Sequence, residues 1–179
     1  MRMLPDISRG EHMDSKTLDA RLKQYNDITK ENDELYREAA KKFGLSVCEF
    51  WILYFLRVEY AKPMQSEICS SFYLPKQSIH SALKKLEADG YIMQTAGGNK
   101  RSKRILLTKQ GEILCGKTVD HIVKAEKEAL GSLSEKEQEI FMDLFEKYTG
   151  QFKKNMQTIP AQADNMNRQE VAEKGGNIT

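Results

Sequence analysis

Residues 65–108 read QSEICSSFYLPKQSIHSALKKLEADGYIMQTAGGNKRSKRILLT, an order of signals that few folds accommodate. A short helix over 65–71 leads into the turn Phe72-Tyr73-Leu74 and then Pro75, whose missing N–H is harmless at the first position of a helix. The helix opening there buries Ile79, Ala82, Leu83 and Leu86, and Asp89-Gly90 stops it. Strands follow over 91–95 and 103–107, with Ile105 and Leu107 facing inward by alternation. The residues between them are too many for a tight hairpin and form an exposed tip, Gly97-Gly98-Asn99-Lys100-Arg101. Helix, turn, helix and hairpin make a winged helix, which with a basic surface is a reader of duplex DNA.

Charge supports that expectation through its distribution, because the chain as a whole carries only +2. Residues 74–111 hold eight Lys or Arg against two acids, a net +6. The flanks are mildly acidic, with five bases against eight acids over 11–38 and five against nine over 112–147. A basic patch on a near-neutral chain suits a polyanion. The second helix turns Lys76, Gln77, Ser78, His80, Ser81, Lys84 and Lys85 outward, polar at its start and basic toward its end. Gln and Ser can donate to and accept from base edges, while Lys reaches phosphate. Alternatives stay open for four of them: Ser78 bonding its own backbone, Gln77 or Lys76 touching phosphate alone, and His80 as a plain surface residue. On the hairpin the candidates are Asn99, Lys100, Arg101 and Lys103.

The rest of the chain reads as helices around this unit. A stripe of Leu18, Leu22, Tyr25, Ile28, Leu35, Ala39 and Phe43 marks one long helix ended by Gly44. Ser46 and Glu49 form a capping box for an almost wholly apolar core helix ending near Val58. Lys62-Pro63 forces an extended connection. Met64 is a poor cap for the short helix that follows. Thr108 caps one further helix carrying Ile113, Leu114, Ile122, Val123, Ala129 and Leu130, closed by Gly131. Ser134 and Glu137 repeat the capping box, and the last helix lines up Ile140, Phe141, Leu144, Phe145, Tyr148, Phe152 and Met156. Residues 1–14 are expected to be an N-terminal tail and 158–179 a disordered C-terminal one. The fold class is mainly α with a small β-hairpin wing (α+β), the winged helix spanning 45–110 between helical segments 15–43 and 109–157.

Little points to other chemistry. Cys48, Cys69 and Cys115 are widely spaced without a CxxC, and His12, His80 and His121 cluster with nothing, so no metal and no cofactor is expected. An odd cysteine count and no apolar core in MRMLPDISRG fit a reducing cytoplasm. The longest apolar run, 50–56, is too short for a bilayer, so no membrane partner is expected. Gly97-Gly98 opens a strand and not a helix, so it cradles no nucleotide, and no nucleophile–base pair suggests an enzyme.

The order of elements over residues 15–157 resembles the MarR family of winged-helix transcription regulators. Gln65-Ser66-Glu67-Ile68, Leu86-Glu87-Ala88-Asp89-Gly90-Tyr91-Ile92 and the wing carry the resemblance. The family's wing pattern, Asp-x-Arg then Leu-Thr and soon a Gly, here reads Asn99-Lys100-Arg101, Leu107-Thr108 and Gly111. Asn99 replaces the charged brace of the wing arginine with a neutral one. The resemblance implies a homodimer built by the first and last two helices, a pseudo-palindromic double-stranded DNA site, and a wing arginine in each flanking minor groove. It implies a repressor released by a small phenolic or lipophilic effector, with Tyr36, Trp51, Tyr54 and Phe55 (and Phe43 beside them) as candidate pocket residues. Two alternatives stand beside it: a winged helix that docks on protein, and a thiol-based redox sensor. The reactive cysteine of such sensors lies in the first helix, where residues 15–43 have none.

Overall fold

A computed structural model of the chain describes residues 14–58, 63–71, 75–96 and 103–159. Its elements run α1 (Ser15–Lys42), α2 (Val47–Val58), α3 (Gln65–Ser71), α4 (Lys76–Ala88), β1 (Ile92–Ala96), β2 (Lys103–Leu107), α5 (Lys109–Lys117), α6 (Val119–Gly131) and α7 (Glu135–Gln157). The chain is therefore mainly helical with one antiparallel hairpin, in which Ile92 faces Leu107 and Ala96 faces Lys103. Two compact units divide it, residues 1–125 and 126–179.

In the first unit α2 is the core helix. Its Phe50, Ile52, Leu53, Phe55 and Leu56 are buried with Ile68 of α3, Ile79, Leu83 and Leu86 of α4, Ile92 and Ile105 of the hairpin, and Cys115 of α5. Ser46 and Glu49 start α2 as a reciprocal cap: Ser46 N–H donates to Glu49 Oε2 at 2.7 Å, and Glu49 N–H donates to Ser46 Oγ at 3.2 Å. Met64 offers α3 no capping side chain, but Glu67 reaches back to accept the Met64 N–H and satisfies that end.

Helix α4 begins one residue later than expected, with Pro75 as the cap preceding it. It closes in a Schellman turn: Tyr91 N–H donates to Leu86 O at 2.9 Å and Gly90 N–H to Glu87 O at 3.0 Å. Gly90 takes φ +75°, a left-handed conformation that costs glycine little. The extended link at Pro63 is buried and adds a third, minimal strand: Ile105 N–H donates to Pro63 O at 2.9 Å, and Met64 bridges Arg104. The sequence pattern carries no sign of that pairing.

The helix expected from Thr108 to Gly131 is broken. Thr118, at φ −133° and ψ −82°, separates α5 from α6. Its hydroxyl donates to Leu114 O at 2.7 Å and its N–H to Cys115 O at 3.1 Å, tightening the turn. Threonine back-bonding of this kind bends helices, and periodicity alone does not reveal it. Thr108 caps α5, its hydroxyl accepting the Gly111 N–H at 3.0 Å.

In the second unit the Ser134–Glu137 box starts α7 as expected. Phe141, Leu144, Phe145, Tyr148, Phe152 and Met156 of α7 are exposed, as are Leu18, Leu22, Tyr25, Ile28 and Leu35 of α1. Of the expected tails, 1–14 and 158–179, residues 1–13 and 160–179 lie outside the described residues, as do Asn99, Lys100 and Arg101 of the wing.

Candidate nucleic-acid interface

Helix α4 presents a face set by its own periodicity. With Ile79, Ala82, Leu83 and Leu86 buried, the intervening Lys76, Gln77, His80, Ser81, Lys84 and Lys85 are exposed and Ser78 is half-buried. All seven sequence-predicted residues of this helix therefore share one surface. The N-terminal end of α2 flanks that face, so Ser46, Cys48 and Glu49 border Pro75, Gln77, Ser78, Ser81 and Lys85 around an open concavity of about 690 Å³.

One pairing on this surface has no trace in the sequence. Lys85 Nζ donates to Glu49 Oε1 at 2.5 Å, joining the last turn of α4 to the cap of α2. The Glu49 side chain is only 4% exposed and that of Lys85 is 59% exposed. Burial pushes the Glu49 carboxyl up, but hydrogen bonds from Lys85 and Ser46 and the Lys85 charge outweigh it and hold it below the usual range. The hydrogen bond from Lys85 to that carboxylate likewise raises the ammonium group. Glu49 thus caps α2 and holds a lysine of α4 at once.

The hairpin stands behind α4. Gln94 of β1 donates to Glu87 at 2.7 Å, fixing the strand to the helix. Lys103, exposed, sits at the open end of the ladder opposite Ala96, where the chain leaves for the tip.

Comparison with known proteins decides the family. The winged helix DNA-binding domain family matches residues 45–111, the span of the unit just described. The HTH-type transcriptional regulator YwoH of Bacillus subtilis is 30% identical over 115 residues, covering 64% of this chain and 82% of that protein. A MarR family regulator from Neisseria meningitidis has the same fold at 20% identity and a TM-score of 0.63, over 78% of this chain and 99% of that one. So does a MarR family protein from Bacillus stearothermophilus, at 18% identity and a TM-score of 0.60 over 79% and 99%.

The chain belongs to the winged-helix HTH-type transcriptional regulators and has the fold of the MarR family.

As such it is a DNA-binding transcription regulator of the winged-helix type. Its relatives are regulators and not enzymes, in keeping with the want of catalytic motifs. No described helix is long and apolar enough to cross a membrane.

The four aromatics expected at the pocket differ in exposure. Phe55 is 1% exposed inside the core and is closed to a ligand. Tyr36, Trp51 and Tyr54 are half-buried and pack with Phe50 in a cluster, with ring centroids 4.8 Å apart for Tyr36–Trp51 and 5.4 Å for both Phe50–Trp51 and Trp51–Tyr54. Aromatic edges meeting at those distances spend their surface on each other. A different cleft, of about 550 Å³, lies along the C-terminal end of α1. Leu35, Glu38, Ala39, Lys42 and Phe43 line it with Lys117, His121 and Ile122. Of the aromatics considered from the sequence, only Phe43 borders it.

Cys115 is buried, and burial pushes its thiol up to about 11. Burial and the neighbouring Glu49 charge also raise Cys48. Both shifts disfavour the thiolate that oxidation requires.

Proposed function

We propose that the protein is a cytoplasmic homodimeric repressor that binds a pseudo-palindromic operator and is released by a small effector. The observation that carries this reading is the exposed polar-to-basic face of α4 in a chain whose α1 and α7 each expose an apolar stripe. A second copy covers such stripes and brings a second α4, and isologous dimers read inverted repeats. Gln77, Ser78 and Ser81 then address base edges in the major groove, Lys76 and Lys84 address phosphates, and Arg101 of the wing enters the adjacent minor groove.

For release, the cleft at the end of α1 supplies the chemistry. Lys42, Lys117 and His121 suit a phenolate or carboxylate head, and Leu35, Ala39, Phe43 and Ile122 suit an apolar body. Such a ligand acts only through its differential affinity for the arrangement that matches the half-sites and the one that does not.

Selection from a random duplex pool tests the reading. The expected product is an inverted repeat with half-sites about one helical turn, roughly 34 Å, apart. Failure to enrich any sequence, or a monomer by light scattering at micromolar concentration, would overturn it.

A further inference from the structure

The Glu49–Lys85 pair sits at an unusual place, a buried carboxylate on the border of a DNA-reading surface. One carboxylate oxygen is fixed by the Ser46 N–H at 2.7 Å and the other takes Lys85 Nζ at 2.5 Å. Because its side chain is 4% exposed, Glu49 cannot follow the lysine outward. Held there, Lys85 has its charge offset by Glu49, and leaving the pair for a phosphate would strand a nearly dry carboxylate short of a donor, which is strongly unfavourable. Lys84, the next residue, is exposed on the same helix, and no ion pair to it occurs among the described residues.

We propose that Glu49 withholds Lys85 from the DNA backbone and thereby lowers the protein's affinity for DNA of any sequence. Phosphate neutralisation supplies the sequence-independent part of binding, and each phosphate contact steepens the dependence of log affinity on log salt by about 0.9. A lysine tied to a buried acid contributes almost none of that. The outcome is a recognition face whose binding depends more on Gln77, Ser78 and Ser81, since discrimination is judged against non-specific sites in large excess. Glu49 is a positioning residue here, acting through Lys85 and touching no base.

The inference rests on the DNA-binding role of α4, and its test separates the two. Full-length wild type, Glu49→Gln and the double variant Glu49→Gln/Lys85→Gln would be titrated with selected and scrambled duplexes between 50 and 200 mM salt. Glutamine keeps the size of Glu49 and can still accept the Ser46 N–H, and circular dichroism would verify folding. Freed of its acid, Lys85 should steepen the Glu49→Gln slope by about 0.9 on both duplexes, an extra loss of roughly three- to fourfold across that salt range. The double variant, neutral like the intact pair, should match wild type. Any other combination of slopes overturns the proposal; an unchanged single variant with a shallower double would make Lys85 an ordinary phosphate contact. A flat wild-type response would instead overturn the DNA reading itself.

Discussion

Arg57 of α2 and Asp120 of α6 form a two-pronged ion pair, Nε to Oδ1 at 2.9 Å and Nη2 to Oδ2 at 2.7 Å. It clamps the core helix to the first turn of α6, just past the break at Thr118. The Arg57 hydrogen bonds hold the Asp120 carboxyl below its ordinary value, and the same bonds raise Arg57. A depressed folded value contributes stability above the unfolded aspartate value of about 4, and that contribution is lost as pH falls through the lower folded one. With both side chains more than a third exposed, solvent screening limits the pair to about 1 kcal/mol or less. Asp120→Asn should therefore lower the melting temperature by roughly 2–4 °C at pH 7. Thermal melts at decreasing pH should show the gap to wild type closing below about pH 4.

Gly111 is required by contact. A Cβ there would lie 2.0 Å from the Tyr91 carbonyl oxygen, which is backbone and already accepts the Thr108 N–H at 3.0 Å. Gly111→Ala should destabilise by roughly 1–3 kcal/mol through overpacking. Denaturant titration would register a lower midpoint at unchanged slope. An alanine variant as stable as wild type would mean that the α5–hairpin junction yields easily.

How far the chain was legible from its residues depends on the range of each interaction. Local signals transferred well: the Ser46 and Ser134 caps, the Thr108 cap, the buried set Ile79, Ala82, Leu83 and Leu86, and the Gly90 stop are each decided within a few residues. Pairings across the chain did not transfer. Lys85 meets Glu49 from 36 positions away and Arg57 meets Asp120 from 63, and no periodicity marks either partner. Thr118 shows the complementary failure: its neighbours keep a helical pattern while its own hydroxyl bends the chain. Phe55 lies in the core, and aromatic identity alone does not tell a core face from a cleft face.

On the recognition face, a base contact and a phosphate contact should separate. Gln77→Ala is expected to cost about 1–3 kcal/mol at one base pair of the selected site and to relax preference there. Lys84→Ala should weaken every duplex alike and reduce the salt slope by about 0.9. Binding arrays of single-base variants would resolve the two; uniform weakening by Gln77→Ala would assign that residue to phosphate.

Cys115 and Cys48 should be quiet. With Cys115 at about 11 and Cys48 raised, neither offers much thiolate at neutral pH. Mild peroxide treatment is expected to leave duplex binding unchanged, with mass spectrometry showing Cys115 unmodified in the folded protein. Release of DNA on oxidation would restore the redox-sensor alternative.

The central claim, a dimer that grips DNA through the basic face of α4, meets its most direct test in one titration. Fluorescence anisotropy of a selected duplex would be followed with increasing protein at 50 and 200 mM salt. The account predicts saturation at two chains per duplex and, for roughly six or more phosphate contacts, an affinity loss of about a thousandfold or greater between the two conditions. Saturation at one chain, or an affinity indifferent to salt, would contradict it.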